Sequence, residues 1–333
     1  MIPSRISQLR VFIPFAFGYF LSYHYRVVNA VLAPNLVADL ELSPGILGLL
    51  TAVYFITFAA FQLPLGVLLD RIGPRKIEAL LLIIAGIGSF VFATAKDATG
   101  LVVGRALIGF GVSACLMAAF TAFVTWFPRE RLPLINGIQM AAGGLGALAA
   151  TAPIEVALQV TDWRGVFMTL AVFTLAVAVA VFLVVPEGKA DYGTEGLTEQ
   201  LDGIVSVFTS PVFWRIAPLT MVSHATFLAI QGLWSGPWLR DVAKLDRMQV
   251  AHVLLLIAAS MVAGFILLGA AADRLRRFGL RPLALNVFGM GIFMLVQLLI
   301  VLEYTTLTVP LWVLFGVFGS TSIISYAVLT QSF

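Results

Sequence analysis

Charge is what this sequence has least of. Of its 333 residues only 11% are Asp, Glu, Lys or Arg, against about 25% in an ordinary soluble domain. A chain so poor in charge cannot cover a water-facing surface, which excludes a soluble globular protein. Cysteine is nearly absent as well. The single Cys115 lies inside an apolar stretch, so neither an intrachain disulfide nor a multi-cysteine metal site is available. With three histidines in the whole chain there is no His-rich cluster, and no metal or other cofactor is expected. Paired carboxylates at helical spacing and a large hydrophilic domain are also missing, which argues against a polytopic enzyme or receptor. What fills the chain instead is 60% apolar and 12% aromatic residue, with 29 glycines and a mean hydropathy of +1.02. Lipid-spanning helices have this composition, with aromatic anchors and small packing residues, and disorder is excluded by it. The net charge is +3. Because the basic residues sit in short loops beside apolar runs, they report orientation and give no footing to a nucleic-acid partner.

A bilayer-crossing helix needs about 20 predominantly apolar residues. Cutting at charged and Pro/Gly-rich points predicts ten spans, near 11–34, 45–68, 77–95, 100–124, 134–157, 166–186, 213–236, 249–271, 282–302 and 309–330. The first contains Arg26 and Asn29 and is followed by no A-x-A-like cleavage site, so it reads as a retained helix and not a signal peptide. With the N-terminus inside, 13 Lys and Arg fall in inner segments and 5 in outer ones, a bias that places the N-terminus in the cytoplasm. Arg26 and Arg105 fall within spans.

The chain also resembles itself. Gly66, Asp70 and Arg71 recur as Gly269, Asp273 and Arg274, and Pro34 and Leu36 recur as Pro237 and Leu239, always at an offset of 203 residues. Span seven thus repeats span one. This divides the chain into a six-helix bundle at 1–186, a cytoplasmic linker at 187–211 and a second bundle at 212–333. In the linker Leu197, Leu201, Ile204, Val205 and Phe208 have the spacing of an amphipathic helix lying on the membrane face; a flexible acidic linker is the alternative. The same offset places Phe333 opposite Glu130, just after span four. The second bundle is therefore expected to hold four spans of six, the whole repeat being about 389 residues and twelve spans; a natural ten-span protein is the competing reading.

The segment Gly66-Val-Leu-Leu-Asp70-Arg71-Ile-Gly73-Pro74-Arg75-Lys76 resembles the signature loop of the major facilitator superfamily. The resemblance extends over essentially the whole chain. It implies an all-α, two-bundle transporter in which Gly66, Asp70, Arg71, Arg75, Asp273 and Arg274 form a conformational latch, and a bacterial inner-membrane location. A purely topogenic basic loop would account for Arg75 and Lys76 but not for the repeated Gly-x-x-x-Asp-Arg. Arg105-Ala-Leu-Ile-Gly109-Phe-Gly111 is similar to the superfamily's fourth-helix motif, whose intramembrane arginine is linked to proton coupling. Arg105 lies about 8 Å into its span at 1.5 Å per residue, so snorkelling to the outer surface is the alternative. Gly143-Gly144-Leu-Gly146 with Pro153 is reminiscent of an antiporter motif but lacks its Gly-Pro pair, and close helix packing explains it without an exporter function.

Arg26 is the deepest intramembrane cation, and such a residue is a functional candidate by default. At about 100 degrees per residue, Tyr19, Ser22, Tyr23, Arg26 and Asn29 share one helix face, with His24 nearly opposite. Tyr23-His-Tyr-Arg26-Val-Val-Asn29 resembles the first helix of organophosphate and organic-anion transporters of the superfamily, which implies that Arg26 binds the anionic group of a small-molecule substrate. A guanidinium fork suits carboxylate or phosphate; an arginine held by a structural carboxylate or carbonyls is the alternative. The repeat mate of Arg26 is Ala229, so a second arginine is absent, and the opposite wall is expected from Thr220, His224, Gln231 and Ser235, favouring a monoanion over a phosphate ester. His224, Arg105 and Glu155 are the coupling candidates, with H+ as the coupling ion. Tyr54, Thr57, Gln62, Asn136, Gln139 and, in span ten, Ser320, Thr321, Ser322, Ser325 and Tyr326 are further candidates to line a cavity. The reading is a monomeric secondary transporter moving a small organic anion by alternating access, with membrane lipids around it; a multidrug or amphipathic-cation exporter on the same fold is the alternative.

Overall fold

The structure, a computed structural model, describes residues 5–128, 131–187, 205–206, 208–277, 282–319 and 321. No strand occurs among the described residues. The chain divides into two compact units, Met1–Glu195 and Gly196–Phe333.

In the first unit α1 is Arg5–Leu40, α2 Pro44–Ala60, α3 Gln62–Ile72, α4 Pro74–Thr94, α5 Ala98–Gly111, α6 Cys115–Trp126, α7 Leu132–Ala149, α8 Ala152–Ala157 and α9 Trp163–Val184. Their starts follow from capping chemistry. Ser43, Asp97 and Asp162 accept from the backbone N–H of Ile46, Gly100 and Gly165 at 3.3, 2.8 and 2.8 Å. Gly73 alone separates α3 from α4. Its φ of 93° is one that L side chains rarely adopt, and Pro74 then opens α4 with its fixed φ and missing donor. The signature segment is therefore not a loop along its length: Gly66, Asp70 and Arg71 are helical and only Gly73 is not.

Each of several predicted spans is two helices. Span two bends by 44° between α2 and α3. The cause is Pro64, which cannot donate to the carbonyl four residues back. Span four breaks at Val112–Ala114, between α5 and α6, and span five at Ala150–Thr151. Packing in this unit pairs α4 with α9 and α5, α1 with α7, and α2 with α5. Polar groups tie the pairs: Tyr25 and Thr174 share a hydrogen bond of 2.9 Å, Ser89 donates to the Phe167 carbonyl at 2.8 Å, and Gln139 donates to the Phe15 carbonyl at 3.0 Å.

In the second unit α10 is Pro211–Ala229, followed by a π-helical turn Ile230–Trp234, α11 Ser235–Asp241, α12 Arg247–Arg277, α13 Pro282–Val301 and α14 Thr308–Gly319. Its core is aromatic. Phe315 stands 5.2, 5.3 and 5.3 Å from the rings of Phe227, Phe293 and Trp312, and Trp238 lies 5.5 Å from Trp312. Ring pairs at these separations add about 0.5–1.5 kcal/mol each beyond their buried area.

By length and hydropathy five helices among the described residues suffice to cross a membrane, or six with the bent α2–α3 pair. The ten predicted spans exceed that number for physical reasons. The polar stripe of α1 lowers its hydropathy, the π-helical turn interrupts span seven, and α14 carries only part of span ten among the described residues. The linker positions 197–204 lie outside the described residues, as does span ten after residue 321.

Candidate anion site

Tyr19, Ser22, Tyr23 and Asn29 are all buried, and Arg26 is partly so. The Arg26 guanidinium lies 4.7 Å from the ring centres of both Tyr23 and Phe58, the latter on α2, and its Nη2 donates to Ser22 Oγ at 3.3 Å. Two aromatic faces stabilise a cation in such a setting by about 0.5–2 kcal/mol each. No carboxylate pairs with Arg26 among the described residues, and its Nε has no acceptor there. Tyr54 completes the wall, stacking on Phe58 at 6.3 Å and donating its hydroxyl to the Ser22 carbonyl at 3.2 Å. Tyr19 and Tyr23 meet edge to face at 5.2 Å. Behind them stands Gly143 of α7, where a β-carbon would lie 2.8 Å from the Tyr23 ring. The glycine stripe of span five thus lets α7 close on α1.

Gln62, at the start of α3, donates to the Ser113 carbonyl at 3.1 Å, and Ser22 donates to the Val112 carbonyl at 3.4 Å. The break between α5 and α6 leaves the Ser113 carbonyl to Gln62, whereas the Val112 carbonyl also accepts from the Cys115 N–H at 3.4 Å. The break therefore sits beside the arginine. Thr57 turns back onto its own helix, bonding the Val53 carbonyl at 3.0 Å, and Gln139 is committed to α1 packing.

Arg105 does not snorkel. It is 1% exposed, donates from Nη1 to the Tyr25 carbonyl at 2.9 Å and from Nε to the Leu50 carbonyl at 3.5 Å, and lies 4.6 Å from the Tyr54 ring. One side chain joins α1, α2 and α5. Glu155, in α8, is buried. Of the latch residues, Gly66, Asp70 and Arg71 are exposed, while Arg75 lies over Phe182 at 5.0 Å and Lys76 pairs with Glu187 at 3.0 Å. That pair, with Arg75 nearby, holds the Glu187 carboxyl below its ordinary range. Asp273 and Arg274 belong to α12, but their side chains lie outside the described residues, as does that of Thr220.

In the second unit His224 is half-buried on α10 and Gln231 is buried inside the π-helical turn, its Nε2 donating to Met261 Sδ at 3.5 Å. Ser235 Oγ donates to the Gln231 carbonyl at 3.2 Å. Such turns are frequent at functional positions. This one begins immediately after Ala229, the repeat mate of Arg26.

Two buried polar residues escape a reading based on spans. His24 stacks on Phe20 at 6.0 Å within the bundle. Glu78 is 0% exposed, and neither carboxyl oxygen has a hydrogen-bond partner among the described residues. Glu78 shares a helix face with Leu82, Ala85 and Ser89, all buried, which its position just after Arg75 and Lys76 in the sequence conceals.

Apolar helices long enough to cross a bilayer, carried by both compact units, define an integral multi-pass membrane protein. The sequence profile of the Major Facilitator Superfamily matches residues 15–333, and the chain belongs to that family. It is 29% identical over 157 residues to "Probable sulfoacetate transporter SauU" of Cupriavidus necator, covering 47% of this chain and 36% of that one. It is 25% identical over 203 residues to the "Nitrite extrusion protein" of Bacillus subtilis, covering 61% and 50%. The chain spans about a third to a half of the length of these curated relatives. A crystal structure of a bacterial homologue of the human lysosomal transporter Spinster, inward-facing and occupied, has the same fold, with a TM-score of 0.73 and 20% identity over 98% of this chain and 75% of that one. These matches all lie among transporters, and the chain is not an enzyme.

Proposed function

We propose that this chain moves a small organic anion across the bacterial inner membrane by alternating access, with its N-terminus in the cytoplasm, and that Arg26 is the anion's anchor. One observation carries the reading: the Arg26 guanidinium stands between two aromatic rings, with the hydroxyls of Ser22 and Tyr54 as neutral hydrogen-bond partners and no carboxylate partner among the described residues. A cation kept within a span without a counter-ion is costly, and an anionic ligand supplies what is missing. Tyr19 and Tyr23 flank it on α1, and Asn29, His224 and Gln231 are further substrate-binding candidates. The two curated relatives named above are called transporters of sulfoacetate and nitrite, both anions, which agrees with the sign of the anchor. Asp70 and Asp273 with their arginines are the latch between conformational states, and the protein works as a monomer.

The test is uptake of labelled sulfoacetate and of nitrite by proteoliposomes holding the full-length protein. Arg26→Ala and Arg26→Lys are expected to abolish uptake while the protein elutes and melts like the wild type, because a point charge does not replace a planar fork. Normal uptake of an anion by either variant would overturn the assignment. Preferential transport of amphipathic cations by the wild type would replace it with the exporter.

A further inference from the structure

Among the described residues of the first unit, Glu78 is the one acidic side chain that has no exposed surface at all, and the site around Arg26 makes no use of it. It lies on α4 one turn beyond the Pro74 end, packed against α1 at Gly18 and against α6 at Cys115. At Gly18 a β-carbon would collide with the Glu78 carboxyl oxygen and would stand 3.8 Å from Cys115 Sγ. The absent side chain is what makes room for the carboxyl. Neither oxygen is paired. An ionised, unpaired carboxylate in such a place costs several kcal/mol, whereas a carboxyl carrying its proton avoids that cost.

The groups around it are few. On α1, Tyr19 follows Gly18, and Arg26 lies about 12 Å further along at 1.5 Å per residue. On α6, Cys115 is the titratable neighbour, within electrostatic reach of both Glu78 and Arg26. On α5, Arg105 is held by the Tyr25 and Leu50 carbonyls. On α3, Asp70 and Arg71 are exposed. On α9, Arg164 pairs with Asp39 at the other end of α4. On α4 itself, Arg75 lies over Phe182 and Lys76 pairs with Glu187. No described cation is bonded to Glu78.

The path from Glu78 to the anion site is short and built of contacts already given. Gly18 and Ser22 are one turn apart on α1. Ser22 receives the bond from Arg26 and donates to Val112, at the break that Cys115 follows directly. Movement of α1 against that break reaches both the arginine and the carboxyl.

We propose that Glu78 is the proton-binding site of this transporter, taking up a proton from one side of the membrane and releasing it to the other once per cycle, when displacement of α1 at Gly18 opens the carboxyl to water. The coupling half of this inference rests on the anion-transport reading; the proton-binding half does not. The tests separate them. Infrared spectra of the full-length protein in lipid nanodiscs are expected to contain a protonated-carboxyl band that fades as pH is raised and that is missing from Glu78→Gln. A band that is unchanged in Glu78→Gln, or that ignores pH, overturns the proton site. In proteoliposomes, Glu78→Gln is expected to lose accumulation of sulfoacetate or nitrite driven by an imposed pH gradient while retaining anion exchange at equal pH. Gradient-driven accumulation by this variant at the wild-type level overturns the coupling role. If the wild type moves neither anion, the substrate reading falls, and the infrared titration decides Glu78 by itself.

Discussion

A guanidinium within a span costs about 2.5–3.5 kcal/mol on insertion scales, and this chain holds two of them in opposite ways. Arg105 gives its donors to two backbone carbonyls and its face to Tyr54. Arg26 has the neutral hydroxyls of Ser22 and Tyr54 and leaves Nε without an acceptor among the described residues. The expected consequences of substitution differ accordingly. Arg105→Met should lower stability by roughly 2–3 kcal/mol, the worth of charge-assisted bonds to buried carbonyls, measured as earlier thermal unfolding in detergent. Arg26 variants should unfold as the wild type does. Arg26 and its stripe were legible in the sequence because a helical period of polar residues stands out against an apolar background. Glu78 was not, because it follows Arg75 and Lys76 and reads as the edge of a polar segment until the burial of Leu82, Ala85 and Ser89 on its face is known.

Among the elements, the break in span two and the continuity of its repeat mate have one cause. Pro64 breaks the helix in the first unit, whereas the matching position in the second is Leu267, and α12 runs unbroken for 31 residues. The proline was in plain sight in the sequence. The π-helical turn at Ile230–Trp234 was not, since no residue of Ile-Gln-Gly-Leu-Trp demands a wider hydrogen-bond ring. The last turn of α1, beyond its apolar stretch, is tied to the start of α9 where Asp39 accepts from Arg164 and, at 3.2 Å, from Trp163 Nε1. The bond from Arg164 depresses the Asp39 carboxyl below its ordinary value. A depressed acid stabilises the fold above its unfolded pKa and loses that contribution as pH falls through the folded one. Asp39→Asn should therefore lower stability at neutral and alkaline pH, where the ionised carboxylate contributes, and converge on the wild type in acid, flattening that side of the profile; unfolding midpoints from acidic to alkaline pH check this.

On the scale of the whole molecule, the repeat offset drew the boundary between bundles inside the segment 187–211, and the two compact units separate at Glu195–Gly196. The family was legible from Gly66 to Lys76 because that segment must satisfy several demands together: a positive-φ glycine, a helix-opening proline and a basic cluster. Asp70 is exposed on the first unit. Asp70→Asn should shift the balance of conformations, seen as changed accessibility of engineered surface cysteines, and an unchanged labelling pattern would count against the latch. Arg105 has a consequence of a different kind. By gripping a carbonyl of α1 and one of α2 from its seat on α5, it rivets three helices into one mechanical body. No tilt of α1 is confined to α1; it loads α2 and α5 as well, so a force applied at one side chain of that helix is delivered at the scale of half a bundle.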